Sequence, residues 1–360
     1  MLVAVDIGVG SLVRSIRGPG ESARAELAAY DDADWAQEYW DGAEDRQRWR
    51  YVPFLGWLQD EIVTPYVNVT DGERRTWSGG AGGSDALTVW MFGGSTTFGT
   101  GQRDEHTIAS GLARLAADAG LTVGVSNFGV SGYRLWQENE HLNYRLLRGG
   151  EPDVVVFYDG VNEPQRHGEV DSAAPLHSRE HIFRQRLEEP PTPQSALRDE
   201  WRTRSAFLQA LRFGRSQFRS SAPGQSIQNT KVVAAERALD NMMGIYTEGV
   251  AVSQDIAARH GFEVAHFWQP NLYTKQTNPA EADAWDVQGY RTWDRNWYEQ
   301  VYEGARRRLP EGVIDISDAL DSTDEPVMID HTHTNELGAR LVAERIFAEL
   351  QPVLEELAAT

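Results

Sequence analysis

Serine, histidine and aspartate, the side chains of nucleophilic catalysis, occur in two short polar blocks far apart in the chain. Ser95 follows two glycines in the block 93–99 (GGSTTFG), directly after a β-rich stretch. Glycines before a serine let the backbone turn sharply, and a helix that begins there aims its N–H groups at an incoming oxyanion. Asp330 and His333 lie three residues apart near the C-terminus. On one turn the carboxylate can hold the imidazole Nδ1–H, which leaves Nε2 free as a base.

Two more polar blocks follow stretches that predict strands. One is the block 127–133 (NFGVSGY) and the other is the block 159–163 (DGVNE). Open α/β sheets place their sites at the carboxyl ends of the strands. The sequence thus predicts three polar loops at the edge of the sheet where such folds bind their ligands.

Strand and helix patterns alternate through most of the chain after residue 85. Apolar, β-rich stretches predict five strands, and apolar residues at a spacing of about 3.6 predict helices. This alternation implies a parallel sheet with helices on both faces. The predicted strands are Ala86–Phe92, Leu121–Asn127, Asp153–Tyr158, Phe262–Trp268 and Gly312–Ile316; the longest predicted helices are Val232–His260 and a C-terminal one containing Val342, Ile346 and Leu350.

The four polar blocks, in this order, resemble those of the SGNH (GDSL-like) hydrolase superfamily. Its members carry Ser, Gly, Asn and Asp-x-x-His at the ends of successive strands and in the final loop; FGGST, NFGVSGY, DGVNE and DHTH supply them here. The resemblance spans roughly residues 86–350, apart from an insertion. It implies a flavodoxin-like three-layer αβα sandwich with a central, mostly parallel five-stranded sheet.

The resemblance implies serine-dependent hydrolysis of a carboxylic ester, of a small molecule or of a glycan. Ser95 would attack the acyl carbonyl, His333 would take and return the proton, and Asp330 would orient His333. The oxyanion hole would be the backbone N–H groups of Ser95 and Gly132 with the side-chain amide of Asn162. An acyltransferase that moves the acyl group onto a cell-surface polysaccharide is the alternative, because a sugar hydroxyl can replace water.

Two positions depart from the pattern of the superfamily. Gly94 stands where an Asp usually precedes the nucleophile, and Glu163 stands where an Asp usually follows the Asn. The departures bear on subfamily and substrate, so both residues are candidate substrate-binding positions. Tyr133 and Trp136 are further candidates, with packing in the core as the alternative. The blocks are similar to a bacterial branch whose members often carry an N-terminal membrane anchor and a short Trp-rich extension.

Other kinds of site have weaker support. Asp330, His331 and His333 include a His-x-His pair that suits zinc, but no further His or Cys cluster stands nearby in the sequence. Gly8-Val9-Gly10 lacks the strand–GxGxxG–helix context of a dinucleotide site. We therefore expect neither a metal nor another cofactor.

The amino-acid composition disfavours or excludes several kinds of partner and chemistry. The formal net charge is −20, which disfavours nucleic acid, and the absence of cysteine excludes disulfides and thiol nucleophiles. Five of the 12 tryptophans precede residue 80, which favours a packed extension over a sugar-facing surface.

Three regions are expected. Residues 1–85 form an N-terminal extension ending in a linker at 79–84 (GGAGGS), and residues 86–355 form the hydrolase domain. The apolar start (MLVAVDIGVGSLV) is shorter than the roughly 18 apolar residues of a membrane span; it is the first element of the domain or the tail of an upstream signal anchor. The second alternative implies a protein that faces the cell envelope, and the first a cytoplasmic one.

A helical insertion is expected at about residues 165–230. It holds three prolines at 190, 191 and 193, and nine arginines against five acidic residues between positions 179 and 219. This basic stretch is a lid over the sheet or a solvated excursion whose arginines pair with the acidic remainder.

Overall fold

The structure, a computed structural model, describes residues 21–43, 48–79, 86–176, 179, 233–275, 279–282, 284 and 292–360. The chain divides into two units, residues 21–177 with 233–360 and residues 1–20 with 178–232. The fold below is that of the first unit. The predictions for the apolar start, for the linker after Gly79 and for most of the insertion fall outside the described residues.

The described residues between 21 and 79 form short elements, because apolar residues and turns alternate too quickly there for long helices or strands. They begin with two 3-10 turns and one helix, followed by a two-stranded antiparallel hairpin and three very short strands. These elements are the 3-10 turns Glu21–Glu26 and Ala28–Tyr30, helix α1 (Ala36–Asp41), the hairpin β1 (Trp49–Val52) and β2 (Gly56–Gln59), and strands β3 (Ile62–Val63), β4 (Asn68–Thr70) and β5 (Glu73–Arg74).

The described residues between 87 and 358 alternate between strand and helix, as the sequence pattern predicts. Each strand is followed by a helix, except where the described ranges are interrupted. The elements are β6 (Leu87–Gly93), α2 (Ser95–Phe98), a 3-10 turn (Asp104–His106), α3 (Ile108–Asp118), β7 (Val123–Asn127), α4 (Leu135–Leu146), β8 (Val154–Asp159), α5 (Ala235–His260), β9 (Glu263–Trp268), a 3-10 turn (Pro279–Glu281), α6 (Thr292–Arg306), β10 (Val313–Asp315) and α7 (Glu336–Ala358).

The central sheet runs β10-β9-β8-β6-β7-β5-β4-β3. Strands β6 to β10 are parallel, and their order corresponds to the flavodoxin-like order 2-1-3-4-5. The expected five-stranded sheet is corrected to eight strands, since β3, β4 and β5 continue it antiparallel through the pair Arg74–Asn127. Strands of two or three residues show no measurable alternation, so the sequence pattern missed them.

Apolar residues cover both faces of the parallel strands. Alternate residues point to opposite faces, so Val89 and Met91 pack under α3 and α7 while Trp90 and Phe92 pack under α4, α5 and α6. Strand β8 is buried along its whole length, as expected for a strand covered on both sides. The result is a three-layer sandwich whose carboxyl edge carries the polar loops.

A third apolar cluster joins the extension to that edge. Leu27, Tyr30, Tyr39 and Trp40 pack with Phe98, which ends the short helix α2, and with Ile329. Trp35 and Tyr66 are half-buried against this cluster. In the described part of the chain, no helix is both long enough and apolar enough to cross a membrane.

Candidate active site

The serine lies at a sharp turn from strand to helix. Strand β6 ends at Gly93, whose φ of 156° places it in a region that other residues avoid, and a Cβ there would clash with the Thr97 side chain. Ser95 is the first residue of helix α2. Its N–H group is therefore one of the unpaired donors at a helix start, and its side chain faces the loop that carries His333.

Ser95, His333 and Asp330 form one hydrogen-bonded chain. His333 Nε2 lies 2.7 Å from Ser95 Oγ, and His333 Nδ1 lies 2.8 Å from Asp330 Oδ2. The predicted residues are brought together although 238 positions separate the serine from the histidine. A hydroxyl, an imidazole and a buried carboxylate in this order are the geometry of a base-activated nucleophile.

Asp330 is fixed by its own loop. Its Oδ1 accepts the backbone N–H groups of Thr332 and His333, both at 2.8 Å. Burial acts to raise the pKa of Asp330, but His333, with His331 and Arg24, outweighs it and holds this pKa well below its usual range. The carboxylate is therefore ionised across the working pH range of a protein and can orient the imidazole.

The sequence did not indicate Arg24, which reaches Asp330 from the extension. Arg24 Nη2 donates a hydrogen bond to Asp330 Oδ2 at 3.1 Å, and both side chains are buried. The guanidinium also lies over the ring of Trp40, with its carbon 5.0 Å from the ring centroid. A single arginine 306 positions away from its partner produces no local pattern that sequence analysis can detect.

Asn162 presents its amide to the serine turn. Gln165 Nε2 donates to Asn162 Oδ1 at 2.7 Å, and Asn162 Nδ2 donates to the Tyr133 carbonyl at 3.0 Å. These two contacts fix which end of the amide is nitrogen. A Cβ at Gly94 would clash with Asn162 Nδ2, so an aspartate could not occupy position 94 without displacing this amide.

The other proposed oxyanion donors are backbone groups. Gly132, with φ of 81°, lies in the turn that precedes Tyr133. Neither the N–H of Gly132 nor that of Ser95 has a hydrogen-bond acceptor among the described residues. Two unpaired backbone donors and one oriented side-chain amide thus belong to the loops around the serine.

The candidate substrate-binding residues Tyr133, Trp136 and Glu163 make hydrogen bonds within the protein. The hydroxyl of Tyr133, a buried residue, donates to the Trp57 carbonyl at 2.5 Å, and its ring packs edge-on against Trp57. Trp136 Nε1 donates to the Leu176 carbonyl at 3.2 Å. Glu163 is buried, and its Oε1 accepts the Leu135 N–H at 3.0 Å. Tyr133 is buried, whereas Trp136 is half-buried and lines a cavity beside Asn139, so the substrate-binding role of both stays a prediction.

Three buried carboxyls lie beneath this region: Glu138, Asp159 and Glu163. Burial raises the pKa of all three, and the charge of Asp159 raises those of its two neighbours further. The pKa reaches about 8 for Glu163. Glu163 therefore keeps its proton at neutral pH, so the cluster does not carry three buried like charges.

The structure contains a second serine–histidine pair. Ser253 Oγ lies 2.8 Å from His266 Nε2, the same separation within 0.1 Å as in the first pair. Both side chains are buried, and the imidazole stacks on Phe157 in the core. Burial lowers the pKa of His266 to about 4. No substrate carbonyl can approach this hydroxyl, so the pair is structural.

The loop that carries Asp330 is anchored by a buried acid. Glu281 Oε1 accepts the backbone N–H groups of Val327 and Met328 at 2.9 and 3.0 Å, and Oε2 pairs with Lys275 Nζ at 2.8 Å. The Ile329 N–H then donates to the His333 carbonyl at 2.9 Å. The loop is thus held on both sides of the aspartate.

His331 does not join the hydrogen-bonded chain. Its ring packs edge-on against Tyr273, and burial lowers its pKa to about 4. Within the described ranges, no three His, Asp or Glu side chains converge in a way that could hold a metal ion.

The sequence matches no protein-family model and no curated protein. Among solved structures it is similar to an acetyl xylan esterase, AlAXEase, at 14% identity and a TM-score of 0.36, over 73% of this chain and 100% of that one. It is similar to a lipolytic protein of the G-D-S-L family from Veillonella parvula at 13% and 0.37, over 73% and 97%. It is also similar to esterase EstA from Pseudoalteromonas at 10% and 0.34, over 74% and 98%.

Proposed function

We propose that this protein is a serine esterase of the SGNH type, with Ser95 as nucleophile, His333 as general base and Asp330 as its orienting carboxylate. The observation that carries the proposal is the continuous hydrogen-bonded chain from Ser95 through the imidazole of His333 to Asp330. The distance from Ser95 Oγ to Nε2 is 2.7 Å, and the distance from Nδ1 to Asp330 Oδ2 is 2.8 Å. The proposed oxyanion donors are the backbone N–H groups of Ser95 and Gly132 and the side-chain amide of Asn162, which packs against Gly94.

In the proposed reaction, Ser95 Oγ bonds to the acyl carbon as its proton passes to His333 Nε2. The carbonyl oxygen gains the negative charge and is stabilised by the three N–H donors. Collapse of the intermediate breaks the bond to the leaving alcohol, which takes the proton from His333. Water then repeats these steps on the acyl-enzyme and releases the carboxylic acid, so that the enzyme returns to its starting state.

The molecule that attacks the acyl-enzyme determines whether the protein is a hydrolase or a transferase. Water and a sugar hydroxyl attack the same carbonyl, with His333 as the base in both cases. An acyl-ester panel with mass detection of the products, run with and without an acceptor glycan, distinguishes the two. Free acid alone supports hydrolysis; an acylated glycan supports transfer.

The test of the nucleophile uses a serine-directed phosphonate and the second pair as its control. The phosphonate is expected to add its mass at Ser95, and Ser95→Ala is expected to abolish both labelling and ester hydrolysis. Ser253→Ala is the matched control, because it also removes a serine 2.8 Å from an imidazole. It is expected to keep labelling and turnover and to cost about 1 kcal/mol of stability.

Two results contradict the proposal. One is labelling at a serine other than Ser95, and the other is full turnover by a folded Ser95→Ala protein. Activity is also expected to survive a strong chelator, whereas a metal-dependent reaction would lose it.

A further inference from the structure

The guanidinium of Arg24 is buried beside the carboxylate of the proposed triad. Its Nη2 shares Asp330 Oδ2 with the imidazole Nδ1 of His333, at 3.1 Å and 2.8 Å. The Arg24 side chain is 9% exposed and that of Asp330 is 1% exposed. Because burial removes most of the screening by water, a charge in this position acts strongly on its neighbours.

The extension that carries Arg24 makes several contacts with the loops of the site. Tyr30 donates its hydroxyl hydrogen to the Gly101 carbonyl at 2.6 Å, and Tyr39 accepts the Gly101 N–H at 2.9 Å. Asn335, which caps the last helix, donates to the Ala29 carbonyl at 2.7 Å. The extension thus contacts both the loop after the serine helix and the loop after Asp330.

We propose that Arg24 is a positioning residue of the esterase, which acts through Asp330 to set the orientation and the proton affinity of His333. This inference rests on the proposed function. It also makes residues 21–43 part of the active site, although they lie outside the region that resembles the superfamily.

Charged and titratable groups face Asp330 and His333 from the extension, from their own loop and from the last helix. Asp330 is the carboxylate in contact with His333, and Arg24 is the cation that reaches Asp330 from the extension. On the same loop, His331 is kept neutral by burial, which lowers its pKa to about 4. From the last helix, Glu336 pairs with Arg103 at 2.7 Å and not with the triad. Arg24 thus places a buried positive charge against the carboxylate that contacts the imidazole.

Removal of this charge is expected to make the His333 imidazolium easier to form. A unit charge about 6 Å away, at the effective dielectric of a partly buried site, corresponds to about 1 to 2 pH units. In Arg24→Gln, the acid limb of the pH profile of kcat/KM is therefore expected to move to higher pH by about that amount. Arg24→Lys keeps the charge and is expected to move the limb by less than about 0.5 unit.

The control is Tyr30→Phe, which removes one buried hydrogen bond between the extension and the loop at Gly101. It leaves the charge beside Asp330 in place, so it is expected to lower the melting temperature without moving the acid limb. A role of Arg24 limited to stability would make Arg24→Gln behave like Tyr30→Phe, which is the result that would overturn the proposal.

A second measurement separates this proposal from that of the nucleophile. The ring nitrogens of His333 are followed by NMR during a pH titration of the wild type, Arg24→Gln and Arg24→Lys, with His333→Gln for assignment. The titration midpoint is expected to rise in Arg24→Gln and to stay in Arg24→Lys, whatever the activity of the protein. An unchanged midpoint in Arg24→Gln refutes the role of Arg24, whereas turnover by Ser95→Ala refutes the proposed function itself.

Discussion

Asn162 offers the sharpest test of the oxyanion arrangement, because it is the one proposed donor that a substitution can remove. One of its amide hydrogens donates to the Tyr133 carbonyl, and its Oδ1 accepts from Gln165. The second hydrogen of the same nitrogen stays available on the side of Gly94, against which the amide packs. Asn162→Ala removes this donor while the chain from Ser95 to Asp330 keeps its partners.

The loss is expected in kcat, with little change in KM. A donor aimed at the developing oxyanion binds the transition state more strongly than the ground state. Removal of one such donor costs about 10²–10³ in kcat, or roughly 3–4 kcal/mol. Asn162→Asp is expected to be at least as damaging, because a carboxylate would face the developing negative charge.

Gln165→Ala is the matched control. It removes the donor that holds Asn162 Oδ1 but leaves the amide nitrogen and its contact with Tyr133. The expected loss in kcat is less than about tenfold, since the cost of one neutral hydrogen bond is about 1 kcal/mol. Steady-state hydrolysis of a chromogenic ester measures all three variants. A folded Asn162→Ala protein with kcat within about threefold of wild type would refute the assignment of this amide.

Two further predictions concern stability. The raised pKa of Glu163, about 8, means that the folded protein keeps a proton that the unfolded chain releases above about pH 4.5, so this group's contribution to stability falls from there to about pH 8. Thermal melts at pH 5.5 and 8.5 are expected to differ less for Glu163→Gln than for wild type; an equal difference contradicts the buried-acid interpretation. Glu281→Ala removes the carboxylate that pairs with buried Lys275 and accepts the Val327 and Met328 N–H groups, and it is expected to cost about 3–5 kcal/mol in denaturant unfolding, whereas a loss below about 1 kcal/mol would show that the loop is held otherwise.

Continuous apolar stretches in the sequence made the parallel strands predictable. Strand β8 is apolar over five consecutive residues and buried throughout, so its sequence alone indicates a strand covered on both faces. Strands β3 and β5 have two residues each and are stabilised by their neighbours in the sheet rather than by their own pattern. The number of strands therefore depended on tertiary pairing that the sequence does not display.

The residues of the site also include some that the sequence pattern predicts and one that it does not. Ser95, Asn162, Asp330 and His333 stand in blocks with recognisable composition, so their types and order predicted that they would meet. Arg24 has no such block, and its partner lies 306 positions away. A contact of this kind depends on how the extension packs around Phe98 and Ile329, which no local pattern encodes.

The two serine–histidine pairs show which features separate a candidate nucleophile from a core contact. Distance does not separate them, since both hydroxyls lie within 2.8 Å of an imidazole nitrogen. The two pairs differ in what the second imidazole nitrogen contacts and in what surrounds the ring. His333 Nδ1 contacts an ionised carboxylate that can stabilise an imidazolium, whereas His266 stacks on Phe157 in an apolar layer that disfavours the charged ring. A general base must carry a proton at the transition state, so the contact with the Asp330 carboxylate is the feature that makes His333, and not His266, the candidate base.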